Sequence, residues 1–220
     1  MDKKELVLQY LEKLLVANET TNLTRISSWE EALVLHIEDS LVALEEINAA
    51  PEGLYGDLGT GGGFPGVPLA IYTGRETVLV DSVKKKVRIL ADIVSEIGMS
   101  ETVSTYGGRI EDLAKEKPGA FSVLTARALS QLNSLLELSS PLLKRGGQLI
   151  CYKAKVSEEE IQSALDICDL VGMKLLNRRS LVLSDGITTR EIIVFQKIGS
   201  PKVKLPRNVG MAQHNPLVKK

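Results

Sequence analysis

The chain carries two cysteines, two histidines and one tryptophan in 220 residues. Cys151 and Cys168 do not form a Cys-x-x-Cys pair, and two thiols cannot build a disulfide framework or a cysteine-based zinc site. They read as small buried apolar residues. His36 and His214 stand far apart in the sequence, so no metal is expected. Phe, Trp and Tyr together number nine, too few to suggest an extended stacking platform for single-stranded nucleic acid. No 18-residue stretch is free of charged or strongly polar residues, which argues against a transmembrane helix. The opening Met1-Asp2-Lys3-Lys4-Glu5 leads into an amphipathic pattern rather than an apolar signal core. A cytoplasmic protein without membrane contact is expected.

What is present is ordinary in amount and uneven in distribution. The apolar fraction is 44% and the charged fraction 25%, as in globular proteins, and the length suits one domain plus an appendage. The net charge of -1 excludes a uniformly basic nucleic-acid binder. Residues 192–220 nevertheless hold Lys197, Lys202, Lys204, Arg207, Lys219 and Lys220 and no acid, leaving -7 on the preceding residues. A basic tail on an acidic body suits a polyanionic partner, or else keeps the chain in solution.

Residues 2–48 read as helices: Val7, Tyr10, Leu11 and Leu14 recur at helical spacing, as do Leu33, Ile37, Leu41 and Leu44. Asn18 to Ser28 reads as a loop, and Ser28 with Glu31 has capping-box spacing. From residue 53 short apolar runs alternate with helical stretches. Strands are expected at Leu54–Leu58, Thr77–Asp81, Thr102–Tyr106, Phe121–Ala126, Gln148–Lys153, Lys174–Leu183 and Thr189–Lys197. Helices are expected over Val83–Ile97, Ile110–Lys115, Gln131–Lys144 and Glu158–Val171. This alternation predicts an α/β fold, a mostly parallel sheet covered on both faces, with an antiparallel hairpin at one edge. The expected division is an N-terminal helical cap over 1–50, the main domain over 51–200 and a basic tail over 201–220.

The strongest chemical signal is Asp57-Leu58-Gly59-Thr60-Gly61-Gly62-Gly63-Phe64-Pro65-Gly66, between the first strand and a helix. The dinucleotide fingerprint G-x-G-x-x-G fails, because Phe64 holds its sixth position. The pattern D-x-G-x-G-x-G fits, and resembles the cofactor loop of class I S-adenosylmethionine methyltransferases, a Rossmann-like fold. Ligands of open parallel sheets bind at this edge. Asp81, ending the second strand, can accept two ribose hydroxyls and can equally cap the next helix; NAD proteins place an acid here too. Arg109-Ile110-Glu111 falls where such folds meet the adenine, or is a surface turn. Arg127, directly after the fourth apolar run, offers a rigid fork for phosphate, carboxylate or a guanine edge, or a structural ion pair. Lys84, Lys85, Lys86 and Arg88 read as a solvated helix face. No Asn-Pro-Pro-Tyr-like segment follows the fourth strand and no Pro-Cys nucleophile is present. Their absence argues against exocyclic-amine and pyrimidine carbon-5 methylation.

Six blocks occur together and in order: Asn22-Leu23-Thr24 with His36-x-x-Asp39-Ser40-Leu41; "DLGTGGGFPGVP" from Asp57; "LVDSVKKKVRIL" from Leu79; Arg109 to Glu111; "TARAL" from Thr125; and "PLLKRGGQL" from Pro141. Over residues 18–155 the chain resembles the RsmG family, also called GidB, the 16S rRNA guanine-N7 methyltransferases. The resemblance implies S-adenosyl-L-methionine as methyl donor, a guanosine of the 530 loop as acceptor, and 16S rRNA or the small ribosomal subunit as partner. Carried over, Gly59, Phe64, Ile110, Glu111 and Arg127 match positions at or beside the donor. Thr60 and Gly61 belong to its loop, and Asp81 and Ser82 to its ribose end. Asn22, His36, Lys153 and Arg207 are the expected substrate-side residues, and Asp39 shares the signature. The tail departs from the family pattern Pro-Arg-Lys-x-Gly-x-Pro-x-Lys-x-Pro: Arg207, Gly210 and Pro216 match, but Asn208 and His214 replace two lysines and Ala212 a proline.

Guanine N7 has a lone pair and no proton to lose, so its methylation needs alignment rather than a base. Arg127 is therefore the expected catalytic residue, positioning the acceptor or the methionine end of the donor. A small-molecule methyltransferase on the same fold and a donor-binding module without turnover are the alternatives. A monomer is expected.

Overall fold

A computed structural model describes residues 2–219; Met1 and Lys220, the last cation of the tail, lie outside the described residues. The chain opens with α1 (Lys3–Thr21), α2 (Trp29–Ala32), a π-helical segment over Leu33–Glu38, α3 (Asp39–Leu41) and α4 (Leu44–Ala49). Then follow β1 (Tyr55–Leu58), α5 (Gly66–Thr73), β2 (Thr77–Asp81), α6 (Lys84–Glu96), β3 (Val103–Gly107), α7 (Ile110–Glu116) and β4 (Phe121–Arg127). The chain closes with α8 (Leu132–Ser139), β5 (Leu143–Lys153), α9 (Glu158–Val171), β6 (Met173–Val182), β7 (Thr189–Lys197) and α10 (Met211–His214).

Among the described residues seven strands form one sheet, in the order β3-β2-β1-β4-β5-β7-β6. The first five are parallel, and β7 runs antiparallel to both β5 and β6. Alternation along the strands divides the core in two. Val78, Val80, Leu124, Ala126, Leu149 and Cys151 pack with α7, α8 and α9. On the other face Leu79 packs with α1, α5 and α6, while Tyr55, Val123, Ile150 and Tyr152 meet α4 and α5. Both cysteines are buried, and desolvation lifts the Cys151 thiol to about 12, which removes it as a nucleophile at neutral pH.

The N-terminal helices share their core with the sheet domain. Val7, Tyr10, Leu11 and Leu14 of α1 join Val67, Ala70 and Ile71 of α5 and Leu90, Ile93 and Val94 of α6 in one cluster. Burying such side chains contributes about 1.5–3 kcal/mol each, and it fixes α1 over the loop that follows β1. The opposite face of α6 carries Lys84, Lys85 and Arg88 exposed to solvent. Ser28 accepts the Glu31 amide at 3.2 Å at the start of α2, the bond its spacing predicts.

Two boundaries differ from the sequence expectation. The helix expected over Gln131–Lys144 ends at Ser139, because Pro141 has no amide to continue it and disfavours helical backbone in the residue before. Leu143 instead pairs with Phe121 and begins β5. Gly147 lies within that strand: a Cβ there would meet the Lys144 carbonyl oxygen at 2.9 Å and those of Phe121 and Ser122 at 3.1 Å. At the other end, α1 continues through Asn18 to Thr21. The tail is also not a free arm, since Ala212 is buried and Leu205 and Leu217 pack beside it on the α8 face.

Candidate functional site

Parallel pairing sends the carboxyl ends of β1, β2, β3 and β4 to one edge, where their loops meet. The β1 loop is organised by Asp57, whose side chain is fully buried. Its Oδ2 accepts the Thr60 hydroxyl at 2.6 Å and the Gly66 amide at 3.0 Å; its Oδ1 accepts the Thr125 hydroxyl of β4 at 2.7 Å. The carboxylate thus ties both ends of the loop to the neighbouring strand. Desolvation still outweighs these donors and lifts its pKa to about 6. Gly59 and Gly61 have φ of +71° and +56°, which a side chain would strain. At Gly63 a Cβ would fall 2.0 Å from the Tyr10 hydroxyl, which donates to the Gly62 carbonyl at 2.7 Å. Helix α1 therefore clamps the loop from outside.

Asp81 ends β2 facing this loop. Its Oδ2 accepts the Gly61 amide at 3.0 Å and its Oδ1 the Val83 amide at 2.8 Å. It serves the start of α6 and the loop together, and each oxygen keeps a lone pair for a ligand hydroxyl. Gly59, Asp81, Ser82, Ile110, Glu111 and Leu129 line a cavity of about 140 Å³. Whole drug-sized ligands fill about 300–1,000 Å³, so this cavity suits one end of a nucleoside-bearing ligand. A backbone cradle, a carboxylate placed for vicinal hydroxyls and an apolar wall fit the adenosine end of S-adenosylmethionine. The Thr60 hydroxyl is spent on Asp57, so only its backbone is left to such a ligand.

Phe64 lies elsewhere, buried beneath a second cavity. His36 stacks on it with ring centroids 4.2 Å apart and planes at 8°; the Arg127 guanidinium carbon sits 5.8 Å from its ring centroid. The Nη1 of Arg127 donates to the Leu35 carbonyl at 3.1 Å and to Asp39 at 2.8 Å. Asp39, 1% exposed, also accepts Arg190 of β7 through Nε at 2.7 Å and Nη2 at 3.1 Å. Two arginines on one carboxylate leave the cluster cationic. Ala128, next along the chain, has φ +52°, a strained conformation of the kind that gathers at functional sites. His36, Asp39, Arg127, Tyr152, Lys153 and Arg190 line this second cavity, of about 510 Å³.

The remaining expected residues divide. His36 Nε2 pairs with the Thr24 hydroxyl at 2.8 Å, and burial together with the Arg127 charge lowers its pKa to about 4. Lys153 reaches the second cavity while paired with Glu160 at 2.8 Å and the Ser130 carbonyl at 3.1 Å. Asn22 is exposed in a left-handed conformation that ends α1, lining a separate groove of about 1,210 Å³ with Arg25, Trp29 and Lys86. Arg207 is not brought to either cavity as a free cation: its fork is taken by Glu137, at 2.6 Å from both Nε and Nη2. Sequence reasoning missed Arg190 and the central role of Asp57. No spacing connects Arg190 with Asp39, 151 positions away. Asp57 opens the quoted motif, but its bonds to Thr60 and Thr125 depend on the fold.

The low His36 pKa has a measurable consequence. The folded imidazole refuses the proton that the unfolded one takes up below pH 6.5, so stability is lost as pH falls from 6.5 towards 4. At pH 5 the expected loss is about 2 kcal/mol. Relative to wild type, His36→Phe, which keeps a ring on Phe64, should gain about 2 kcal/mol of stability between pH 7 and 5 in urea unfolding. Equal slopes for both proteins would refute this assignment.

Among the described residues, no group of three or more His, Cys, Asp or Glu side chains gathers to hold a metal ion. No described helix is long and apolar enough to cross a membrane. A family model described as GidB, rRNA small subunit methyltransferase G, matches residues 3–190. Proteins called ribosomal RNA small subunit methyltransferase G are similar over nearly the whole chain. One from Alkaliphilus metalliredigens is 35% identical over 96% of this chain and 89% of its own length. One from Clostridium novyi is 33% identical over 96% and 88%. Solved structures share the fold at much lower identity. Geranyl diphosphate C-methyltransferase from Streptomyces coelicolor has a TM-score of 0.55 at 14% identity, covering 70% of this chain and 77% of its own. Precorrin-6y C5,15-methyltransferase from Geobacter metallireducens also scores 0.55, at 10% identity, covering 73% and 88%.

Proposed function

The chain belongs to the rRNA small subunit methyltransferase G family, and from that premise we propose that it methylates N7 of a guanosine in the 530 loop of 16S rRNA. The observation that carries this reading is the adjacency of the two cavities. One is lined by Gly59, Asp81 and Leu129, the other by Arg127 and Ala128, so both open on the same turn after β4. S-adenosylmethionine, when bound, supplies an electrophilic methyl group. Gly59, the Thr60 backbone, Gly61, Asp81, Ser82, Ile110 and Glu111 are the residues that would hold it. Phe64 supports that region through Arg127 and His36.

The acceptor side follows from what the second cavity offers. Guanine N7 needs no deprotonation, and His36, with its pKa near 4, stays neutral at physiological pH. Asp39 and the Leu35 carbonyl fix the Arg127 side chain through Nη1. Among the described residues its Nε and Nη2 have no protein partner, which leaves them to hold the acceptor base or the methionine carboxylate. Alignment and exclusion of water then account for rate enhancement. An acceptor taken from a loop rather than a helix suits this site, because RNA duplexes hide the N7 edge in a deep, narrow groove. Lys153 and Asn22 belong to the substrate side of this proposal, and Arg207 supports it indirectly by holding the tail. We read the protein as a cytoplasmic monomer with a helical cap over 1–50, a catalytic domain over 51–200 and a tail over 201–220.

The test is methyl transfer from labelled S-adenosylmethionine to unmodified small subunits, to purified 16S rRNA and to a metabolite extract. Label in RNA is expected. Label confined to metabolites supports a small-molecule enzyme, and saturable donor binding without any transfer supports a binding module.

A further inference from the structure

The basic C-terminal segment, whose charge suits a polyanionic partner, is anchored beside the donor cavity. Arg207 closes on Glu137, a carboxylate of α8 that is 2% exposed, with two bonds of 2.6 Å. Arg207 also donates to the Asn215 carbonyl at 2.7 Å, and Glu137 accepts the Leu217 amide at 3.3 Å. Between these points the Gly210 amide donates to Glu111 Oε1 at 2.8 Å, and Ala212 is buried. Removing one partner of a buried pair such as Arg207–Glu137 is strongly destabilising, so the segment is held in place rather than resting there. The consequence is local: Gln213 lines the cavity together with Gly59, Asp81, Ser82 and Ile110.

We infer that Gln213 is a base-recognition residue of the donor site, reading the adenine of the methyl donor from the C-terminal side. This rests on the donor reading of that cavity given above. Asp81 and Ser82, at the end of β2, face the ribose, and the base goes to the side formed by Ile110 and Glu111. Gln213 arrives on that side because Gly210 is bonded to Glu111. A primary amide carries a donor and an acceptor in one plane, which matches the N6 donor and N7 acceptor of adenine. Hypoxanthine presents two acceptors on the same edge and cannot satisfy both halves of the amide. The C-terminal segment thus belongs to the donor site, and specificity for an adenosyl group resides partly in a residue from the last turn of the chain.

The test uses the full-length protein and two ligands, S-adenosylhomocysteine and S-inosylhomocysteine, with dissociation constants measured by calorimetry for wild type and Gln213→Ala. Gln213 is exposed, so its truncation leaves the fold intact, which thermal melting verifies. Gln213→Ala should weaken the adenosyl ligand about five- to tenfold. The inosyl ligand should change less than about twofold, narrowing the preference between the two. Unchanged affinity for both, or equal weakening of both, overturns base recognition by Gln213. A wild-type protein that binds neither ligand overturns the donor reading itself, and this inference with it.

Discussion

Arg127→Ala is expected to lower methyl transfer about 100- to 1,000-fold while leaving the fold in place. The stability half of this expectation follows from Asp39. That carboxylate is 1% exposed and would be costly to strand, but Arg190 continues to engage both of its oxygens after Arg127 is removed. The activity half follows from the unused part of the guanidinium. Leu35 and Asp39 hold Nη1, and the ring of Phe64 lies beneath the group. Its remaining donors are therefore aimed by the protein before any substrate arrives. Arg127→Lys should recover little, since an ammonium can meet Asp39 but cannot also present a planar fork. The measurement is kcat/KM with 16S rRNA as acceptor, paired with urea melts. Near-wild-type turnover in Arg127→Ala would remove this residue from the reaction.

Asp57→Ala should have the largest effect on stability and donor binding together. It strands three donors in a buried site: the Thr60 hydroxyl, the Gly66 amide and the Thr125 hydroxyl. Each unsatisfied group costs about 1–3 kcal/mol, about 3–9 kcal/mol for the three, less about 2–3 kcal/mol regained by removing the buried charge, with the glycine loop losing its tether to β4. Donor affinity should fall beyond detection even where the protein still folds. Asp57→Asn separates charge from geometry. Its amide oxygen can keep Thr60 and Gly66, and its amide nitrogen can donate to Thr125. The Thr125 hydroxyl then turns towards Tyr55, 2.7 Å away, whose own hydroxyl proton loses its acceptor; that loss offsets part of the relief from removing the buried charge. Because burial lifts the Asp57 pKa to about 6, the ionised group already opposes folding at neutral pH. That cost is relieved as pH falls from about 6 towards the unfolded value near 4. Asp57→Asn should therefore cost about 1 kcal/mol or less at pH 7. A melting curve for Asp57→Ala equal to that of wild type would show that the loop is held by other means.

The sheet domain was readable from the sequence because its signals are local. Apolar runs bounded by glycine or charge set β2 at Thr77–Asp81 and β7 at Thr189–Lys197, and α9 begins at a Ser157 cap that accepts the Glu160 amide. Strand–helix alternation and a closing hairpin then gave the mixed sheet. Leu142 and Leu143 misled because a short apolar run looks alike in a helix and a strand; Pro141 was the decisive residue. At the site, the glycine loop and Asp81 carry recognisable spacing, and the structure brings both to one cavity. The cluster of Asp39, Arg127 and Arg190 has no such signature, since its members come from α3, β4 and β7. Nor does spacing mark the π-helical segment that carries Leu35 and His36, a geometry often found at functional sites. The anchoring of the tail escaped the sequence for a related reason. Its net charge is visible in the sequence, whereas the pairing of Arg207 with a buried glutamate is not.

One measurement bears most directly on the reaction itself. Unmodified small subunits or 16S rRNA would be incubated with the protein and methyl-labelled S-adenosylmethionine. The RNA would then be cleaved at N7-methylguanosine by reduction and aniline scission, and the position read by primer extension. The expected result is one labelled N7-methylguanosine, in the 530 loop, absent when Arg127→Ala replaces wild type. Label on another atom or outside that loop would contradict it.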